Sequence, residues 1–419
     1  MIKNPLSQKT LSTAEIETLV SKGMAPALSS GKKTLVIIPD ATRSAPIPTA
    51  FAAINRLASE KNCHVDYLIA LGTHPALSPA EIVSLVGKPL DLIQKDLPGT
   101  KIWNHNWVDK DQLVNIGTIP AEEVNVISSG LMKAAIPVRI NKLILDYDHL
   151  VICGPVFPHE VAGFSGGAKY FFPGIAGEEI IHLTHWLGAL ATAMHTIGVK
   201  DTPVRRIIER AAELITIPVT HIAFVMKGSE TLAIFSGGLK AAWEEAVALS
   251  SQVNIRFIQR QYKSILSMPA PIYDELWTAA KAMYKLESIV EDGGDLIIYA
   301  PWLTEISRTH LADILAVGYH TRDYFTSQWE KFSSHPLAAL AHSTHVKGAG
   351  IMQNGIEKPR INVILATGIS KEMCKKINLG YLDPSFINRL DWENGGSEGK
   401  LFVPDAGEVL FQLQGPAAA

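Results

Sequence analysis

Apolar runs that each end in a short polar turn and then a helix signal constrain this chain more than any other pattern. Thr34 to Pro39 is the first such run, closed by Asp40-Ala41-Thr42-Arg43, and Pro46 and Pro48 open an apolar-periodic helix over about 49–61. Val65 to Leu71 repeats the plan, with Gly72-Thr73-His74-Pro75 as its turn and Ser78-Pro79-Ala80-Glu81 as a capping box with proline at the first helical position. Leu150 to Val156 is a third buried run. Its turn is the long glycine-rich stretch Pro158-His159-Glu160-Val161-Ala162-Gly163-Phe164-Ser165-Gly166-Gly167-Ala168-Lys169. Strand, turn and helix in alternation predict an α/β fold with mainly parallel sheets, with ligands at the carboxyl ends of the strands.

The chain has 419 residues, too many for one ordinary core, and two α/β domains are expected. The first is placed at 1–265, and helices are predicted at 202–214 and 239–250 within it. The second is placed at 266–390. It is predicted to open with a long helix over 272–291, turned by Gly293-Gly294 into the strand 295–300, and to contain a further strand at 361–367. The tail, 391–413, is expected to pack back on the first domain, and the active site to lie in the cleft between the two. Residues 408–416 resemble a broken viral protease site, so 414–419 are read as an appended remnant.

Hydrophobic residues make up 47% and charged ones 19%, with a formal charge of −3, which gives no electrostatic reason to expect nucleic acid or a membrane surface as partner. Cys63, Cys153 and Cys374 are scattered and form no CxxC pair, which fits a reducing cytoplasm rather than a disulfide scaffold.

Asp40 and Arg43, three apart after a strand, can offer an anion acceptor and a guanidinium fork to a carboxylate; a turn cap beside a solvated arginine competes with that reading. His74 lies on a strand-to-helix turn with an ordinary pKa suited to a base near neutrality. His105 lacks such a context and reads as structural. The glycine-rich stretch is neither GxxxxGK[ST] nor GxGxxG, so neither common nucleotide loop applies. His182 and His185 can share one helix face, but their spacing is short by one for HExxH, which leaves open a single histidine ligand completed by a cofactor. Lys281 on an apolar helix can be a snorkelling surface lysine. Ser343 to Gly348 reads as a further ligand-facing turn.

Together these motifs resemble the lactate racemase family that uses a nickel-pincer nucleotide, whose pattern is DxTR, then GTH, then PHxxAGFSGGxKxxxPG with a histidine on the next helix. Here these are Asp40 to Arg43, Gly72 to His74, and Pro158 to Gly174 with His185, continued by 345–348, 368–372, 377–381 and 404–408. The resemblance implies a racemase or 2-epimerase of an α-hydroxy acid working by reversible hydride transfer. Its cofactor is pyridinium-3-thioamide-5-thiocarboxylic acid mononucleotide with nickel, tethered through Lys169, with His185 as the protein ligand of the metal. His74 and His159 become alternating general acid and base. Asp40, Thr42, Ser165, Gly166 and Gly167 surround the cofactor, while Arg43, Lys281, Trp277 and Thr278 contact substrate. Cofactor-synthesis enzymes are implied as maturation partners; oligomeric state stays open.

Two departures matter. Ser44 replaces the family's proline, and Trp277-Thr278 stands where lactate racemases carry Tyr-Gln. The expected substrate is therefore a 2-hydroxy acid other than lactate, larger or a sugar acid. A zinc hydrolase or lyase built on His182, His185 and Glu178 or Glu179, and a non-catalytic binder of a hydroxy acid or nucleotide, are the competing readings.

Overall fold

The computed structural model describes residues 9–41, 44–393 and 399–414; Thr42 and Arg43 lie outside them. The chain divides into two compact units. One comprises Met1–Pro158, Phe164–Thr184 and Lys200–Val253, the other His159–Gly163, His185–Val199 and Asn254–Ala419.

The first unit is built on a six-stranded sheet of β1 (Lys33–Pro39), β2 (His64–Ala70), β3 (Ile102–Asn104), β4 (His149–Pro155), β5 (Val219–Lys227) and β6 (Glu230–Gly238). Its order is β6-β5-β4-β1-β2-β3, parallel throughout except for the antiparallel β5–β6 pair. Burial on both faces explains why β1 and β4 read as unbroken apolar runs rather than alternating ones. Helices α1 (Thr13–Met24) and α2 (Ile47–Glu60) pack Ile16, Val20, Phe51 and Ile54 with Val36, Ile38 and Tyr67 of the central strands. Helix α3 (Pro79–Val86) starts at the expected capping box: Ser78 Oγ accepts the Glu81 amide at 3.3 Å while Glu81 accepts the Ser78 amide at 2.7 Å. That box ends the turn carrying His74. Helix α4 (Glu178–Ala191) follows the glycine-rich stretch, and α5 (Pro203–Ala212) and α6 (Leu239–Asn254) meet the expected helices within a few residues.

The second unit holds a five-stranded parallel sheet of β7 (Tyr262–Pro269), β8 (Val290–Ala300), β9 (Asn362–Thr367), β10 (Gly380–Tyr381) and β11 (Lys400–Ala406), in the order β10-β9-β8-β7-β11. The tail differs from expectation. Lys400–Ala406 pairs with β7, and Leu410–Leu413 pairs with Ile255–Ile258, so both tail strands complete the second unit. The Gln414 amide extends this pairing to Ile258 O at 2.7 Å, and 415–419 lie outside the described residues.

The long helix expected over 272–291 is instead α7 (Leu276–Ala279), α8 (Lys281–Tyr284) and a 3₁₀ turn at Glu287–Ile289, and β8 begins at Val290. Leu276, Ala279, Ala280, Ala282, Met283, Leu286 and Ile289 are all buried, so most of the segment is packed as core. Outside bonds hold it in pieces: Leu276 and Trp277 amides donate to Glu305 O and Ile306 O at 2.9 Å, and Ser267 Oγ donates to Ala282 O at 2.6 Å. Ser343 to Lys347, read as a turn, form the end of helix α9 (Leu337–Lys347), which stops at Gly348. Among the described residues no helix is long and apolar enough to cross a membrane.

Candidate active site

In the first unit, the polar turns after β1 and β2 bring Asp40 and His74 together. His74 Nδ1 donates a short hydrogen bond to Asp40 Oδ2. The carboxylate is nearly buried, with 8% of its side chain exposed, while the imidazole is 43% exposed. A carboxylate only accepts, so the proton sits on Nδ1, and in the neutral ring the lone pair is on Nε2. Asp40 therefore orients His74, a role the sequence reading did not assign to it.

The glycine-rich turn is held from beneath. Gly166 and Gly167 have φ of +76° and +59°, and a Cβ on them would meet Val156 Cγ2 at 2.6 Å and the Trp243 ring at 2.9 Å. Trp243 Nε1 donates to Ser165 O at 2.9 Å, and the buried Arg205 donates to Phe164 O and, at 3.4 Å, to Gly166 O while stacking 4.2 Å from the Trp243 ring. Burial pushes the Arg205 guanidinium down to about 10, opposed by Glu209. Ser165 Oγ is committed to backbone, donating to Pro155 O at 3.3 Å and accepting the Phe157 amide at 2.9 Å. Within 161–170 every residue is buried except Lys169, which is half-buried at the end of this anchored turn. Arg205 and Trp243 escaped the sequence reading; the one available signal was an arginine beside the apolar stripe Val204, Ile207, Ile208, Ala211.

His105 is structural, as expected: Nε2 donates to Ala176 O at 2.9 Å, Nδ1 accepts from Asn141 at 3.2 Å, and burial pushes its pKa down to about 4. His182 meets Trp107 edge-on at 6.1 Å. Glu179 pairs with Arg139, and Glu178 lies 3.8 Å from Lys110. Among the described residues no three His, Cys, Asp or Glu side chains converge as a metal-ligand set. The proposed zinc site from His182, His185 and these glutamates therefore has no such set to stand on.

In the second unit, His159 is buried on the hairpin formed by Pro158–His159 and Gly163–Phe164. The Val161 amide donates to its Nδ1 at 3.1 Å, so the neutral ring carries its proton on Nε2. Glu160 Oε2 lies 3.7 Å from the same ring. Burial would raise the Glu160 carboxyl, but His159, its own backbone, Lys281 and His345 hold it well below the usual carboxylate range. Glu160 thus joins His159, Lys281 and His345 into one electrostatic group that the sequence reading missed, having treated 160 as a free position of the motif.

Lys281, on α8, is half-buried with its ammonium 4.9 Å from the Tyr273 ring centre. Trp277 stacks with His310 at 4.3 Å and His342 at 3.8 Å. Two imidazoles that close to one ring centre must take opposite faces, which leaves only the indole edge for a ligand. Thr278 Oγ1 donates to Glu275 O at 3.1 Å. His185 is half-buried on α4, beside Trp186, whose ring stacks on Trp329 at 5.3 Å within an apolar cluster with Phe325, Phe332 and Leu340.

The fold is of the α/β class, with Asp40 and His74 gathered on the turns that follow two of its parallel strands. Residues 3–198 match the lactate racemase N-terminal domain. The chain is 26% identical over 302 residues to a lactate racemase of Thermoanaerobacterium thermosaccharolyticum, covering 70% of this chain and 66% of that one. A lactate racemase of Lactiplantibacillus plantarum is 24% identical over 316 residues, covering 71% and 67%. These matched stretches span about two thirds of the relatives' lengths. A crystal structure of a protein from Thermotoga maritima superposes with a TM-score of 0.86 at 30% identity, covering 99% of this chain and 100% of that one. The lactate racemase apoprotein of T. thermosaccharolyticum does so with a TM-score of 0.72 at 20% identity, over 96% and 93%, and supports the fold. Residues 3–198 thus carry a lactate racemase N-terminal domain, and the chain is similar to lactate racemases over 70% of its length.

Proposed function

We propose that the chain racemises or 2-epimerises an α-hydroxy acid, with His74 and His159 exchanging the roles of base and acid. The observation that carries this reading is a carboxylate beside Nδ1 of each ring, Asp40 on His74 and Glu160 3.7 Å from His159, which stabilises an imidazolium and leaves proton transfer to Nε2. One ring starts neutral with its lone pair on Nε2 and the other as an imidazolium, so one accepts a proton and the other gives one, as inversion through a planar 2-keto acid requires. In that reading His74 takes the substrate hydroxyl proton as C2 loses hydride. His159 then supplies a proton to the oxygen when hydride returns to the opposite face. The mirror-image substrate runs the same steps with the two histidines exchanged. Lys281 balances the substrate carboxylate, and Arg43 adds a second cation.

The nickel-pincer nucleotide implied by the family resemblance would supply the hydride acceptor. The residues present fit it. Lys169 offers a half-exposed primary amine on a turn whose backbone is pinned by Arg205 and Trp243, and His185 offers a half-buried imidazole as a single ligand. Covalent attachment through Lys169 depends on cofactor-making enzymes as maturation partners. Asp40, given to His74, contributes through that base. Free Cys63, Cys153 and Cys374 agree with a cytoplasmic location.

The test is isotope tracing on protein produced beside the cofactor-making enzymes, with C2-deuterated 2-hydroxy acids. Inversion with deuterium kept at C2 is expected. Washout to solvent would mean proton abstraction, and an unmodified Lys169 in nickel-free, inactive protein would remove the cofactor from the reading.

A further inference from the structure

The segment between β7 and α8 breaks where one long helix was expected, and the break brings an aromatic ring to an ammonium. In a straight helix residues 273 and 281 would stand about 12 Å apart along the axis. Instead the Tyr273 amide closes a turn on Ala270 O at 3.0 Å, α7 starts at Leu276, and the Lys281 ammonium lies 4.9 Å from the centre of the Tyr273 ring. Strands β7 and β11 are parallel neighbours with Pro269 opposite Ala406, so the turns that follow them share the carboxyl edge of the second sheet. Ligands of parallel α/β sheets bind at that edge.

Lys281 is held along its whole length. Its helix is tied to β7, where Ser267 Oγ donates to Ala282 O at 2.6 Å. Its stem lies against Gly407, which has φ of +100°; a Cβ there would come within 3.1 Å of Lys281 Cβ and 3.5 Å of the Ala282 nitrogen. Its tip meets the Tyr273 ring, whose hydroxyl donates to Glu408 Oε1 at 2.5 Å. Glu408 is itself fastened, since Lys285 Nζ donates to its carbonyl at 3.0 Å. A lysine is a point charge on a flexible four-carbon stem, and it gives up much rotamer freedom when its ammonium must stay in one place. An aromatic face that attracts the cation takes part of that loss before a ligand arrives.

We propose that Tyr273 is a positioning residue that holds the Lys281 ammonium where it meets the substrate carboxylate, with Glu408 locking the ring. This rests on the racemase reading above, in which Lys281 balances that carboxylate, and adds the group that sets its position. Lys281 is also among the cations that hold the Glu160 carboxyl low, so one acidic partner already acts on it. A second carboxylate in place of the ring would compete with the substrate for the ammonium. A ring face attracts the cation without supplying an oxygen acceptor.

The experiment has two arms on the full chain, each comparing wild type with Tyr273→Leu and Tyr273→Phe. In the first, lysines are dimethylated with carbon-13 formaldehyde, which keeps their charge, and the Lys281 methyl resonance is assigned by its absence in Lys281→Arg. The wild-type resonance should be shifted upfield by the ring current; Tyr273→Leu should abolish that shift and Tyr273→Phe should keep it. In the second, protein matured with its cofactor is assayed with whichever of lactate, glycerate and malate the wild type inverts fastest. Tyr273→Leu should raise KM roughly three- to thirtyfold with kcat changed by less than about threefold, and Tyr273→Phe should recover most of the loss. If Tyr273→Leu does not fold by thermal melt, Tyr273→Met is read in its place with the same outcomes. A Lys281 resonance unmoved by Tyr273→Leu, equal loss in the Leu and Phe variants, or a fall in kcat with KM unchanged overturns the proposal and leaves the racemase reading standing. Wild-type protein that inverts none of the three acids overturns both.

Discussion

His74 and His159 have the same side chain and, in the proposed reaction, complementary jobs, yet their settings are opposite. His74 is exposed at the end of a parallel sheet and steered by a nearly buried carboxylate. His159 is buried on a hairpin, accepts a backbone amide, and has its carboxylate, Glu160, alongside rather than in line. A carboxylate hydrogen-bonds the first ring, whereas a backbone amide and a more distant carboxylate meet the second. The contrast teaches that a symmetric reaction needs no symmetric site: each ring has only to present the right Nε2 state. It also means that the two carboxylates should fail differently when altered.

The largest effects break the comparison at the rings. His74→Ala and His159→Ala should each lower inversion on the order of 10²- to 10⁴-fold in both directions, checked by chiral analysis of product. Asp40→Asn comes next. An amide can donate to Nδ1 and favour the wrong tautomer, so a loss on the order of 10²-fold or more is expected in kcat with KM less affected. Glu160→Gln should cost less, within about tenfold, because Glu160 lies 3.7 Å from the ring rather than in a short hydrogen bond to it. Removing a negative charge beside His159 makes a cationic ring less favourable, so the acidic limb of the pH–rate profile should move to lower pH. If Asp40→Asn and Glu160→Gln behave alike, the distinction drawn here is wrong.

Stability should respond to pH in both units. Burial pushes His105 and His345 to about 4, and His221 and His342 to about 3. The unfolded chain takes up protons near pH 6.5 while the folded chain does not, so these histidines cost nothing above that pH. Stability falls as pH drops through 6.5 towards 4, by on the order of 1 kcal/mol per pH unit for each ring. Urea titrations at pH 7.5 and 5.5 would measure it, and His345→Phe should reduce the slope. The smallest effect is at the helix behind the His74 turn: Ser78→Ala should cost about 1 kcal/mol by thermal melt, through loss of the cap.

Much of the first unit was legible because a doubly covered parallel sheet writes itself as apolar runs, with polar turns where ligands bind. The capping box at Ser78, the strands from Lys33, His64 and His149, and the structural role of His105 could all be read along the chain. The segment 272–291 could not, because its division into short pieces goes with bonds to Glu305, Ile306 and Ser267, which lie outside it. Nor could the destination of the tail, since strand pairing between 264–269 and 400–406 joins residues far apart in sequence.

By itself, then, the sequence determined the α/β class, the resemblance to lactate racemases, and which residues are able to carry protons, since these follow from local pattern and contiguous motifs. Only the tertiary structure decided that Asp40 serves His74, that Arg205 and Trp243 pin the turn before Lys169, and that Glu160 stands beside His159. Each of those depends on which distant groups share a hydrogen bond or a desolvated space, and no spacing along the chain encodes that.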